Sequence, residues 1–162
     1  MPSWHEMADS SRKVILSHRR LASTIVRLKR TSRRIVFTNG CFDLLHVGHA
    51  TLLERAKRLG DVLVIGLNSD RSVRAIKGPQ RPFVSERDRA RLLAALACVD
   101  YVTIFDEPTP YELIRLLKPD ILVKGADWAL KGVVGREVVR RVVRIPLVAG
   151  YSTTKLLERV RR

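Results

Sequence analysis

Thr38-Asn39-Gly40-Cys41-Phe42-Asp43-Leu44-Leu45-His46-Val47-Gly48-His49 is the stretch that decides the fold. It follows an apolar, strand-like run, Ile35-Val36-Phe37, and leads into a helically spaced run that ends near Leu59. A polar, glycine-bearing loop between a strand and a helix is where α/β proteins hold phosphates, because the first helical N–H groups are free there. His46 and His49 are three residues apart and share one face of the first helical turn. Gly48 between them leaves out a side chain where a phosphate would approach closely. The loop is neither G-x-G-x-x-G nor G-x-x-x-x-G-K-[ST], so the usual dinucleotide and P-loop readings lose their support. A single histidine near a helix start is usually solvated, and a single Asn-Gly is usually a turn. The paired His-x-Gly-His behind Gly-Cys-Phe-Asp favours function over both.

Outward from this loop the pattern alternates. Strands are predicted at Ile35–Thr38, Val62–Leu67, Tyr101–Ile104, Ile121–Val123 and Val142–Ile145. Helices are predicted over 47–59, 85–97, 109–117 and 153–160, with a short one near 135–141. Short β-branched runs alternating with helical periods read as βαβ units and a doubly wound parallel sheet. Ser17 is a plausible N-cap for an earlier helix reaching Arg30, with Leu21, Ile25 and Leu28 on one stripe that packs on the domain. Residues 1–11 are polar and read as disordered; the expected flexible segment is 1–17, and the domain 18–162.

The composition, 46% apolar and 29% charged over 162 residues, suits one soluble domain. No apolar run approaches the ~20 residues of a membrane span, and no secretory core follows the N-terminus. Two cysteines, Cys41 and Cys98, without a C-x-x-C pair, read as unpaired thiols of a cytoplasmic protein. The net charge of +15 raises nucleic acid as a partner. Against it, arginines outnumber lysines 23 to 8 and are spread along the chain, and the nine aromatics show no interleaving with basic residues. Acidic small-molecule substrates account for part of the charge equally well. A homo-oligomer is compatible with the sequence.

In a parallel sheet of this kind the ligand lies beyond the carboxyl ends of the strands. There the sequence places Asn68 and Lys77-Gly78-Pro79, then Arg81, and Arg87 in the first turn of the next helix. Lys77 is the candidate cation for a phosphate. Lys124-Gly125-Ala126-Asp127 follows a buried strand, where glycine permits close approach and Asp127 suits a sugar hydroxyl or base edge. Ser152, Thr153 and Thr154 offer three hydroxyls at a helix start, more than capping alone needs.

Together FTNGCFDLLHVGH, LGDVLVIGLNSDRSVRAIKGPQRP, LACVDYV, FDEPTP, KPDILVKGADW and GYSTT resemble the heptose 1-phosphate adenylyltransferases of the HxGH nucleotidyltransferase superfamily, over about three quarters of the chain. The resemblance implies a Rossmann-like fold and transfer of AMP from ATP to D-glycero-D-manno-heptose 1-phosphate, giving ADP-heptose and pyrophosphate. It implies His46, His49 and Lys77 as catalytic residues. It implies Thr38, Asn39, Gly40, Cys41, Phe42, Gly48, Lys124, Gly125, Asp127, Ser152, Thr153 and Thr154 as nucleotide contacts. On the substrate side stand Asp43, Asn68, Arg81 and Arg87. Mg²⁺ would arrive on the ATP phosphates, with no dedicated metal site in the protein. Cytidylyltransferases of glycerol 3-phosphate and phosphoethanolamine share the HxGH core, and a non-catalytic nucleotide- or RNA-binding module is the non-enzyme alternative. The family's Gly-rich turn before its last strand is missing, since GREVVRRVVRIP runs straight through. These 162 residues carry no sugar-kinase pattern, and a kinase step is expected of a separate protein.

Overall fold

The computed structural model describes residues 9–126, 129, 132–146, 148, 150, 151, 153 and 157. Five parallel strands form one sheet: β1 (Ile35–Gly40), β2 (Val62–Asn68), β3 (Tyr101–Phe105), β4 (Ile121–Gly125) and β5 (Arg141–Ile145). Their order is β3-β2-β1-β4-β5, so the chain winds outward from β1 in both directions. The register sets Phe37 beside Val64 and Leu122, and Thr38 beside Ile65 and Val123. The crevice outside β1 and β4, where the winding reverses, is the expected ligand position.

Alternation along the strands decides which helix covers which face. Val36, Leu63, Ile65, Val102 and Val123 pack on α2 (Val47–Lys57) and α4 (Glu86–Ala95) through Leu53, Ala56, Ala90 and Leu93. Ile35, Phe37, Val62, Val64 and Leu122 turn the other way, onto α1 (His18–Arg30) and α5 (Tyr111–Leu117) through Leu21, Ile25, Leu113, Ile114 and Leu117. Ser17 caps α1 by accepting from the Arg20 N–H. The stripe of α1 is thus core, with Leu21 and Ile25 fully buried.

Three expectations change. Residues 9–17, placed in the flexible segment, dock instead: Asp9–Lys13 forms a 3-10 turn, Val14 bridges Val102, and the Ile15 N–H donates to the Val102 carbonyl. They blunt the free edge of β3, an edge that would otherwise invite pairing with another chain. A helix that the periodicity did not signal, α3 (Asp70–Lys77), follows β2 and is capped by the Ser69 hydroxyl. The helix expected near 135–141 is a set of turns, with Gly135 at φ +82° and no room for a Cβ against Ile114. The helix expected over 153–160 falls largely outside the described residues. No described helix is long and apolar enough to cross a membrane.

Candidate active site

The loop after β1 is built around two stacked imidazoles. His46 sits in extended conformation at the N-cap of α2, and His49 lies in the first turn, so helical geometry brings their rings together. The ring centroids are 3.9 Å apart and the planes differ by 23°. Phe42, at φ +45°, sets its ring 5.1 Å from that of His49 and walls the pair off on one side. Gly48 has a more specific reason than ligand approach: a Cβ there would lie 2.9 Å from His46 Nδ1. The same Cβ would come within 3.5 Å of Tyr151 Cβ, so the segment after β5 returns to this loop. Thr153 is half-buried beyond it; Ser152 and Thr154 lie outside the described residues, as does Asp127.

Burial depresses the basicity of both rings. His46 falls below its usual pKa for that reason alone. His49 falls to about 4, through burial first and then the charges of His46 and Lys77. Both imidazoles are therefore neutral at pH 7. Nδ1 of each ring is covered by protein: that of His46 packs against Gly48, and the His49 ring meets the Leu44 backbone. No side chain caps the start of α2, whereas Ser17, Ser69 and Ser85 cap α1, α3 and α4. The histidine pair thus stands at an uncapped helix start, which suits an anion. Lys77 ends α3, exposed, and its charge reaches both His49 and Cys41.

The neighbouring strand ends tie this loop down. Thr38 donates from its hydroxyl to the Val123 carbonyl at 3.0 Å, joining β1 to β4. Lys124 donates to the Asn39 side-chain oxygen, and Gly125 closes β4 beside it. Residues 37–159 match the family described as Cytidylyltransferase-like.

This chain belongs to the cytidylyltransferase-like family. It is 55% identical over 142 residues to the bifunctional protein HldE of Helicobacter pylori (strain J99), covering 88% of this chain and 31% of that protein. It is 52% identical over 160 residues to the bifunctional protein HldE of Trichlorobacter lovleyi, covering 96% and 32%. The chain thus spans about a third of the length of these curated relatives. The lipopolysaccharide core biosynthesis protein of Thermoplasma volcanium GSS1 matches in structure with a TM-score of 0.60 at 28% identity. That match covers 72% of this chain and 98% of the other.

Several residues expected at the ligand of this cytidylyltransferase-like site also carry bonds inside the protein. Asp43 is buried, and its carboxylate accepts from Arg81 at 2.8 Å and from the Phe83 and Val84 N–H groups at 2.7 and 3.1 Å. Burial would raise its pKa, but these bonds, led by Arg81, bring it below the usual range. Arg81 also stacks over Phe83, 4.3 Å from the ring centroid. Asn68 donates to the Ser72 hydroxyl inside the fold. Burial raises the Cys41 thiol against the pull of Lys77 and Arg89, so it is no thiolate nucleophile. Arg87, expected to face the site, is exposed and lines a recess with Ser69, Asp70 and Asp106, and another with Val14 and Leu16. The arginine of α4 that turns inward is Arg89, which the sequence reading passed over. Its signal was its place: Arg89 lies four before Leu93, on the buried stripe of α4.

Proposed function

We propose that this chain transfers the adenylyl group of ATP to D-glycero-D-manno-heptose 1-phosphate, releasing pyrophosphate and ADP-heptose. The observation that carries nucleotidyl transfer is the stacked His46–His49 pair at an uncapped helix start. Neutral imidazoles donate hydrogen bonds without the self-repulsion of two cations at 3.9 Å, and they strengthen as charge builds on the phosphates. The sugar phosphate oxygen would attack the α-phosphorus in line with the departing pyrophosphate. Lys77 would offset charge on the transferring group, and the loop would hold reactants in register. No covalent intermediate is required. Among the described residues no three His, Cys, Asp or Glu side chains cluster for a metal, and both oxygens of Asp43 are engaged. Mg²⁺ would be held mainly by triphosphate oxygens and would neutralise leaving-group charge.

The choice of sugar and base rests on the resemblance of the KGPQRP and GYSTT segments to heptose 1-phosphate adenylyltransferases. The matched HldE proteins and the lipopolysaccharide-core protein are consistent with it. A cytoplasmic setting follows from the same reading. Pyrophosphate release across the four nucleoside triphosphates, against a panel of sugar 1-phosphates and glycerol 3-phosphate, tests it. ATP with the heptose phosphate is expected to give the highest kcat/KM, and excess EDTA to abolish it. A preference for CTP with glycerol 3-phosphate would replace this reading by the cytidylyltransferase one, and salt-sensitive RNA binding without turnover would defeat both.

A further inference from the structure

Arg89 is the largest side chain in the described fold with no exposure, and the chemistry above does not use it. Burying an ionised guanidinium is costly unless every direction of it is answered. Here Nε donates to the Val84 carbonyl at 2.9 Å. Nη1 donates to the Cys41 carbonyl at 2.5 Å and the Asn68 carbonyl at 2.9 Å. Nη2 meets the Asp70 carboxylate at 2.7 Å. These four acceptors belong to three stretches of chain: the histidine loop, the join of β2 to the helix that carries Lys77, and the Arg81–Val84 stretch just before α4. Asp43 closes the ring from the other side, because it holds the Phe83 and Val84 N–H groups from within the histidine loop. The remaining buried positions of α4 are aliphatic, so packing alone asks for no charge there.

We propose that Arg89 is a positioning residue for nucleotidyl transfer, holding the histidine loop and the Lys77 helix in one register; this rests on the function proposed above. A planar fork with donors in several directions fits four acceptors at fixed angles, which an ammonium on a flexible stem cannot reproduce. Small displacements of reacting groups cost large factors in rate, so a residue that touches no substrate governs kcat.

Arg89→Lys and Arg89→Met are compared with Leu93→Ala, a core truncation one turn along the same helix, all well below their melting temperatures. The Arg89 variants are expected to lose about 10²-fold in kcat with KM for ATP little changed. Leu93→Ala is expected to melt lower and keep its kcat. NMR titration of the histidine rings gives a readout that needs no turnover. A loosened loop admits water, so the pKa of His49 moves up from about 4 toward 6.5 in the Arg89 variants and stays put in Leu93→Ala. Asp70→Asn, which weakens one of the four contacts, serves if neither Arg89 variant folds, with smaller shifts in the same two directions. A folded Arg89→Lys with wild-type kcat and an unmoved His49 overturns the proposal, as does Asp70→Asn with both unchanged where it stands alone. A wild-type chain without nucleotidyl transfer defeats the functional reading, while the titration still decides whether Arg89 sets the loop.

Discussion

At the scale of single residues, Gly48 separates helix stability from chemistry. Alanine in a helix is favoured over glycine by about 1 kcal/mol, so Gly48→Ala is expected to leave the melting temperature unchanged or higher. Its Cβ must displace the His46 ring, which lies 2.9 Å away, so turnover is expected to fall by about 10-fold or more. A variant that is stable and fully active would remove the stacked pair from the mechanism. His49 supplies a second test through pH. Its folded pKa, about 4, lies below the ordinary 6.5, so between those values the unfolded chain binds a proton that the folded chain refuses. Stability is therefore lost as pH falls through this window, by up to about 1.4 kcal/mol per unit. Urea titrations of wild type and His49→Asn from pH 7.5 to 4 should diverge with that sign, the variant showing the flatter profile. The pair itself was legible in the sequence because i and i+3 share a helix face. Arg89 was not, because a run with arginines at 87, 89 and 91 looks like a solvated face until the stripe of Leu93 is traced back one turn.

At the scale of elements, legibility followed length and period. All five strands were visible, since each is a short apolar run with a turn signal at its end. Helix α3 was missed because Asp70–Lys77 has two turns and four charged residues, too few positions for a period to emerge. Its only sharp sign is the Ser69 cap. The false helix near 135–141 had the opposite fault: Glu-Val-Val-Arg-Arg has adequate propensity, but Gly135 packs its bare Cα against Ile114 and turns the chain at positive φ. Helix α1 was read correctly because its stripe is unbroken. Its Ile25 is 1% exposed against β1 and α5, so Ile25→Ala should cost about 2–5 kcal/mol in urea unfolding. Val26→Ala, on the half-exposed face next to it, should stay within about 0.5 kcal/mol, and equal losses would show that the helix is not docked by that stripe.

At the scale of the whole molecule, the sheet order does what no single motif can. Residues 38–49, 68–84 and 150–151 are far apart in the chain, yet winding outward from β1 brings them to one end of the sheet. That convergence was legible as a list of strand-end segments, while the bonds inside it, Asp43 to Arg81 and Arg89 to Cys41, were not, because no local pattern encodes a partner 38 or 48 residues away. The net charge of +15 belongs to this scale too. A positive protein draws in a triphosphate from beyond contact distance, and salt screens that attraction over roughly 10 Å at 0.1 M. Raising ionic strength at fixed free Mg²⁺ should therefore lower kcat/KM for the nucleotide several-fold, while kcat holds, because short contacts are screened much less than long-range steering. Neutralising exposed arginines remote from the site, as in Arg19→Gln with Arg27→Gln on α1, should flatten the salt dependence and leave kcat alone. If kcat itself fell in step with salt, the charge would be acting on the chemistry, and the view of it as a steering field would be wrong.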